Sequence, residues 1–555
     1  MADLLRPYWE IVQNHERQLD ALLEKGIYKP VFLYHAVLFN ILPWMGLVIP
    51  RHIKYARPLT FALCLALAAD IFSSRRALLG ANGYMIGLLT AWWFVWGTTL
   101  FVLSDLERDF QRMERWPVGD GQSRGSAQCV PLTEVESNPE EDQDCLLVET
   151  EEFAHDQSNG GVVVRQTSKN PDTKATAASA RQIEQLHWQS YPQNLGHRID
   201  WCAGLLFNLR GPEWNWRAPH LGPLPRSVHA QLYPGFDSNR LEASDDTTYP
   251  TAKQRLQNAF LTCLKTYLLL DILKVLMMRD PYFRGTAPPD SPPPFPFHHF
   301  ALHPLLTRFY HLVFSCTGIF VALNFVTSFN PLVFLGLSLA FPNASRALTA
   351  APLDAPWLYS DTFGPFLSPI LDHGLAGCWG RWWHQLFRYG FTATANWLLS
   401  HLPENWAAHV QIRRITHVVV AFSLSGFVHT CGSYTQLPNT RPLSGPMLFF
   451  CMQSFAVMAE HVFKTCILPK LPLHAVPRSL KRAANATFVF CWLLFSGACI
   501  ADDLARGGLW LMEPVPVSPL RGFGLANGEG WWCWRRPWFR YWSDGTYWGS
   551  GMRVI

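Results

Sequence analysis

Long apolar runs alternate with polar stretches along this chain, and several of the runs are long enough to cross a bilayer. A spanning helix needs about 20 apolar residues. Pro30–Pro50 and Gly83–Ser104 meet that length. Leu59–Phe72 is shorter and stops at Arg75-Arg76, so it crosses only with help from neighbouring helices or snorkelling arginines. Leu256–Met278 is long but interrupted by Lys265, Asp271 and Lys274, which predicts a face turned toward protein or water. Tyr310–Leu323 and Pro331–Phe341 form one broken span or two, and Ile415–Cys431, Gly445–Phe463 and Ala486–Ile500 complete the set. The expected fold class is all-α: a polytopic membrane bundle of about eight or nine helices. Met1–Lys29 is a polar segment with no cleavable signal, and the run after it suits an uncleaved anchor.

The polar stretches divide the chain further. Residues 30–105 hold the N-terminal membrane helices, 106–255 a polar loop, 256–510 the main membrane domain and 511–555 a Trp-rich tail. Within the loop, about 117–181 is expected to be disordered. It has ten carboxylates and no Lys or Arg between Glu134 and Asp156, and a solvated insertion is favoured over a partner-binding tail. Order returns at Arg198-Ile199-Asp200-Trp201 and at Asn208–Trp216, whose tryptophans flanking Asn215 suit a membrane-interface segment. Ala287–His299 is a Pro-rich, semi-rigid connector. Trp531–Trp548 carries six tryptophans and is expected at the interface. Basic residues flank both sides of the early spans; Arg381, Arg388, Arg413 and Arg414 favour a cytosolic face for Trp379–Arg414. The glycosylation triplets at Asn343 and Asn485 are too short to decide sidedness.

Composition agrees with a membrane protein. Only 16% of residues are charged, against about 25% in soluble domains. The net charge of +4 is dispersed and gives no case for nucleic acid. Thirteen cysteines occur without CxxC or ligand-like spacing, so neither a metal site nor a disulfide framework is expected. Walker, GxGxxG and HExxH motifs are missing from the sequence, and no nucleophile elbow is expected, because the GxSxG string Gly121–Gly125 lies in the polar insertion and not at a strand–helix turn. What remains is direct transfer between two bound substrates, which needs a base, oxyanion donors and a dry cavity.

His429, in the nearly charge-free run ITHVVVAFSLSGFVHTC, can supply the base. An ionisable side chain inside a span is costly and usually faces a cavity or a partner. Its competing reading is an interface histidine bonded to a carbonyl, which suits His417 better. Ser425 lies one turn earlier and can orient the ring or a water. Upstream, Trp379–Arg388 is either an anchoring belt or part of a reaction chamber. On the second reading His384 and Gln385 enter the chamber, Arg381 and Arg388 meet phosphate groups, and Trp382, Trp383 and Asn396 line the substrate. Gln453, mid-span, needs a partner; Glu460 lies seven residues on, on nearly the same face. Asp502 and Asp503 are expected to pair with Arg506.

The ordered set resembles the fungal wax-synthase-like branch of the membrane-bound O-acyltransferases. It comprises Cys378-Trp379-Gly380-Arg381-Trp382-Trp383-His384-Gln385, Ser425-Gly426-Phe427-Val428-His429-Thr430-Cys431-Gly432, Phe449-Phe450…Gln453…Glu460 and Asp502-Asp503…Arg506-Gly507-Gly508-Leu509-Trp510. Arg198–Trp201 and Asn208–Trp216 also match this branch, whereas Cys378 departs from its more usual aromatic residue. The resemblance implies an internal substrate tunnel, acyl-CoA (acetyl-CoA favoured) as co-substrate with no bound cofactor, and catalytic His429 in residues 256–510. It implies acetyl transfer to a hydroxyl of a hydrophobic terpenoid or meroterpenoid in a multi-pass protein of the endoplasmic reticulum. The lipid bilayer is then a partner of the fold. His384, Gln385 or backbone N–H groups would stabilise the oxyanion, and Arg381, Arg388, Trp382, Trp383, Asn396, Ser425 and Gln453 would bind substrate. The rivals are a long-chain wax-ester synthase and a transporter with Asp271, Lys274, Gln453 and Glu460 along its pathway.

Overall fold

The computed structural model describes residues 8–117, 184–233, 249–437, 440–470, 476–525 and 530–555. It is mostly helical. Six helices among the described residues are long and apolar enough to cross a membrane: Ala56–Ser74, Tyr84–Leu103, Pro304–Ala340, Val410–Tyr434, Leu443–Lys470 and Arg478–Arg506. The chain is therefore a multi-pass membrane protein. Two expected spans fall short of the same measure. Leu33–Val48 is apolar but only 16 residues long. Ala252–Met277 has 26 residues, but its charges lower its hydropathy. Asp271 and Lys274 are buried, and Lys265 is exposed. Asp271 accepts from Ser518 Oγ and Leu520 N, and Lys274 donates to the carbonyls of Trp510 (2.7 Å) and Met512 (3.1 Å). The charged face is thus turned toward protein.

Local chemistry sets the helix ends. Asn194 caps Leu195–Leu206 by accepting from the N–H groups of Gly196 and His197, and Thr251 caps the Ala252 helix through Gln254 N. Pro331, which lacks an N–H, sits where the long Pro304–Ala340 helix widens into a π turn without ending. The run read as one broken span or two is one continuous helical stretch. Arg75-Arg76 stops the preceding helix by going extended and pairing in parallel with Lys29-Pro30. Burial anchors Arg76 further, its guanidinium lying over the rings of Tyr28 and Tyr434.

The all-α expectation needs three small additions, each a two-stranded sheet. Arg112–Pro117 pairs antiparallel with Glu184–Gln189, closing the base of the acidic insertion, which itself lies outside the described residues. Phe539–Trp542 pairs antiparallel with Gly551–Val554 in the tail. The largest core joins Trp92 and Trp96 to Trp201, Trp214, Phe391 and Val428. Trp201 and Trp214 are fully buried and Trp216 is nearly so, so the expected interface segment is part of this core. Trp214 stacks on Trp216, Trp201 meets Trp214 edge-on, and Trp216 lies tilted against Tyr389.

The Tyr84–Thr98 helix makes its main contact with the Val410–Tyr434 helix. A Cβ on Gly87 would stand 2.0 Å from the carbonyl oxygen of Cys431, and Gly87 N donates to Thr435 Oγ1 at 3.0 Å. Small residues permit such close approach in membrane bundles. Asp502 and Asp503 do not pair with Arg506 as expected. Asp502 accepts from the Tyr282 hydroxyl at 2.8 Å, and Asp503 accepts from the backbone N–H of Arg441, since both carboxylates are turned inward from the helix end.

Candidate active site

His429 occupies the penultimate turn of the 25-residue Val410–Tyr434 helix. Its ring is held on two sides. Phe450, from the following helix, stacks on its face at 4.9 Å with 16° between the planes. At its edge, Nδ1 and the Tyr84 hydroxyl are 2.7 Å apart. Nε2 makes no hydrogen bond to any described residue.

Facing this helix is an irregular stretch made of one short turn, Leu375–Gly377, and a π turn, Cys378–Trp382. Glu460 pins its start, accepting from Leu375 N at 3.2 Å and Ala376 N at 3.0 Å, with Lys464 Nζ 3.1 Å away. Gly374 permits this clamp: its φ is +73°, and a Cβ there would lie 1.9 Å from Glu460 Oε1. Gln385 fixes the other end by donating both amide hydrogens, to Trp379 O at 2.8 Å and Trp383 O at 2.9 Å. Its Oε1 accepts from Arg388 Nη1 at 3.3 Å.

Between these elements lies a cavity of about 1050 Å³, counting the space at its mouth. His429, His384, Gln385, Arg388, Trp383 and Ser425 all line it, together with Trp379, His417 and Phe450. Four other sequence-predicted residues are absent from its wall. Arg381 is exposed and donates to His373 Nε2 at 2.8 Å. Trp382 is turned away onto Phe320, Phe363 and Phe366. Asn396 Oδ1 lies 2.9 Å from His417 Nε2. Gln453 finds the partners a mid-span amide needs: it donates to Ser496 Oγ and accepts from the Trp492 indole, both at 3.0 Å.

Two nitrogens at the cavity can still donate. His384 Nδ1 and Trp379 Nε1 are buried and have no hydrogen-bond partner among the described residues. Such groups cost about 1–3 kcal/mol each when left unpaired, and in native proteins they mark strain, bound water or chemistry. Burial, with His429 and Arg210 nearby, pushes the His384 imidazole down to about 3, so it is neutral at neutral pH. Gln385, by contrast, has no spare amide hydrogen for an oxyanion. Among the described residues no group of three or more His, Cys, Asp or Glu side chains is arranged to hold a metal ion.

Sequence reasoning named His429, His384 and Ser425 but not Tyr84 or Phe450 as their neighbours. Tyr84 lies 345 residues before His429 and carries no local pattern that would link them. Trp379 stood in the noted cluster, yet only the fold distinguishes its cavity-facing indole from that of Trp382.

Residues 359–452, which hold every cavity residue named above, match the membrane bound O-acyl transferase family. Among curated proteins, the chain is 29% identical over 190 residues to acetyltransferase spyB of Aspergillus fumigatus, covering 34% of this chain and 31% of that protein. It is 29% identical over 127 residues to O-mevalon transferase macI of Penicillium terrestre, covering 21% and 29%. It is 25% identical over 274 residues to acetyltransferase ple2 of Rhodocybe pseudopiperita, covering 48% and 57%. The chain thus spans between about a third and somewhat over half of the length of these relatives. No solved structure matches it. Residues 359–452 are thus similar to the membrane bound O-acyl transferase family, and relatives named acetyltransferases agree with that likeness.

Proposed function

We propose that this protein transfers an acetyl group from acetyl-CoA to a hydroxyl of a hydrophobic secondary metabolite of terpenoid or meroterpenoid type. The observation that carries the reading is the cavity in which, among the described residues, His429 Nε2 has no hydrogen-bond partner and neither have His384 Nδ1 and Trp379 Nε1. His429 Nε2 takes the proton of the acceptor hydroxyl as that oxygen attacks the thioester carbonyl. Trp379 Nε1–H and the neutral His384 ring, in its Nδ1–H form, donate to the oxygen as it becomes negative. The C–S bond then breaks, His429 returns its proton to the sulfur, and ester and CoA leave. Arg388, a cation on the wall, meets CoA phosphate oxygens. Trp383 and Ser425 border the acceptor.

The wider setting is an endoplasmic-reticulum membrane protein in which Leu33–Val48 and Ala252–Met277 complete about eight spans, with the cavity continuing as a tunnel to both substrates. Asp271, Lys274, Gln453 and Glu460 are all engaged in structural hydrogen bonds, which disfavours the transporter reading. A second reading has support of its own: relatives named O-mevalon transferases favour a transferred group other than acetyl.

The test uses membranes containing the protein, labelled acetyl-CoA and a panel of terpenoid alcohols. Label is expected in an ester, and His429→Ala is expected to lower turnover by at least about 100-fold, the usual contribution of a positioned base, while the protein still folds. Near-normal turnover by a correctly inserted His429→Ala protein sinks the mechanism. Activity with palmitoyl-CoA but none with acetyl-CoA overturns the choice of donor.

A further inference from the structure

The scheme above leaves one close contact unused, the 2.7 Å pair between Tyr84 Oη and His429 Nδ1. A phenol can donate to an imidazole nitrogen or accept from it, and the choice decides what the ring can do. If Tyr84 donates, Nδ1 is the acceptor, Nε2 carries the hydrogen, and His429 has no lone pair for a substrate proton. If Tyr84 accepts, Nδ1 carries the hydrogen and Nε2 is the basic atom.

Acceptance is what the proposed base requires, because the Nε2 lone pair is then left for the substrate proton, and two features hold the pair in place. The Tyr84 side chain is buried, 5% exposed, with its ring against the backbone of Gly432, so water has little access to the pair. The Phe450 stack fixes the ring plane, so directing Nδ1 to Tyr84 turns Nε2 away from it.

We propose that Tyr84 is a positioning residue for the base: its phenol oxygen accepts the Nδ1–H of His429 and holds the tautomer whose Nε2 lone pair receives the substrate proton. The same bond steadies the imidazolium that forms in that step. This rests on His429 being the base of the transferase. It also makes the site composite. Tyr84 lies far outside the matched residues 359–452 and outside 256–510, so neither stretch contains the whole base assembly.

The experiment compares full-length wild type, Tyr84→Phe, His429→Ala and the double variant in purified, membrane-reconstituted form. Tyr84→Phe keeps the ring that packs on Gly432. Its kcat is expected to fall about tenfold, the worth of one neutral hydrogen bond, with KM for both substrates unchanged. Because Tyr84 acts through His429, the double variant is expected to lose no more than His429→Ala alone. A wild-type kcat for Tyr84→Phe, beside an inactive His429→Ala, overturns the positioning role and leaves the transferase reading standing. Near-normal turnover by His429→Ala overturns both. A raised KM with unchanged kcat overturns the positioning role in favour of a substrate contact. Should Tyr84→Phe fold poorly, 3,5-difluorotyrosine at position 84, assayed below the pH at which its phenol ionises, keeps the shape and weakens the oxygen as an acceptor. A lower kcat is then expected, and an unchanged or higher one overturns the proposal.

Discussion

At the scale of the residue, His384 combines a chemical opportunity with a cost. Its ring is pushed down to about 3 by burial, by His429 and by Arg210. His220 is pushed down to about 2 by burial and by Arg210, Arg388, Arg217 and His384, and both its nitrogens are buried without a hydrogen-bond partner among the described residues. Each folded-state value lies below the ordinary 6.5. Between those limits the unfolded chain takes up a proton that the folded protein refuses, so stability is complete above about pH 6.5 and falls as the pH is lowered. The slope approaches about 1.4 kcal/mol per pH unit for each histidine. We expect the thermal midpoint of the purified protein to drop between pH 7 and pH 5, and His384→Gln to drop less. Parallel curves for the two proteins would count against a neutral buried His384.

At the scale of the element, the pairing of the Tyr84–Thr98 and Val410–Tyr434 helices decides whether the proposed base is positioned. Gly87 faces the backbone of Cys431, which cannot swing aside as a side chain can. Gly87→Ala is expected to cost about 1–3 kcal/mol through overpacking and to reduce kcat by moving Tyr84 from His429. Gly97→Ala, on the same helix, is the control. Its Cβ would meet two Phe61 ring carbons at 3.7 and 3.9 Å, ordinary contacts. Equal thermal midpoints and turnover for the two variants would rule out this close approach. The helices themselves were legible in the sequence, because some twenty apolar residues in a row have few other uses. Their pairing was not. A glycine that admits a backbone looks like any other glycine until its neighbour is known. Charges inside a span were legible only as a face turned from lipid; that Lys274 meets the carbonyls of Trp510 and Met512 required the fold.

At the scale of the molecule, the candidate site draws on residues from Tyr84 to Val457. The wall formed by Trp379–Arg388 and Ser425–His429 was legible because polar groups inside apolar runs attract notice one by one. Long-range partners leave no such local trace, and the C-terminal tail shows the same limit. Its tryptophans suggested an interface segment, but its arginines bind it to the N-terminal helix Tyr8–Glu24. Arg536 and Arg540 meet Glu16, while Arg540 and Arg553 meet Asp20. Arg553 is the buried member, 2% exposed, with its guanidinium also over the Trp542 ring at 5.0 Å. Exposed pairs contribute at most about 1 kcal/mol each. Removing a buried partner costs more, and because Asp20 retains some contact with water we expect about 2–3 kcal/mol for Arg553→Leu. None of the clasp residues lines the cavity. The thermal midpoint should therefore fall while kcat per folded molecule stays at the wild-type value, both measured on the same reconstituted preparation. An unchanged midpoint with lost turnover would instead couple the clasp to the reaction and not to the stability of the bundle.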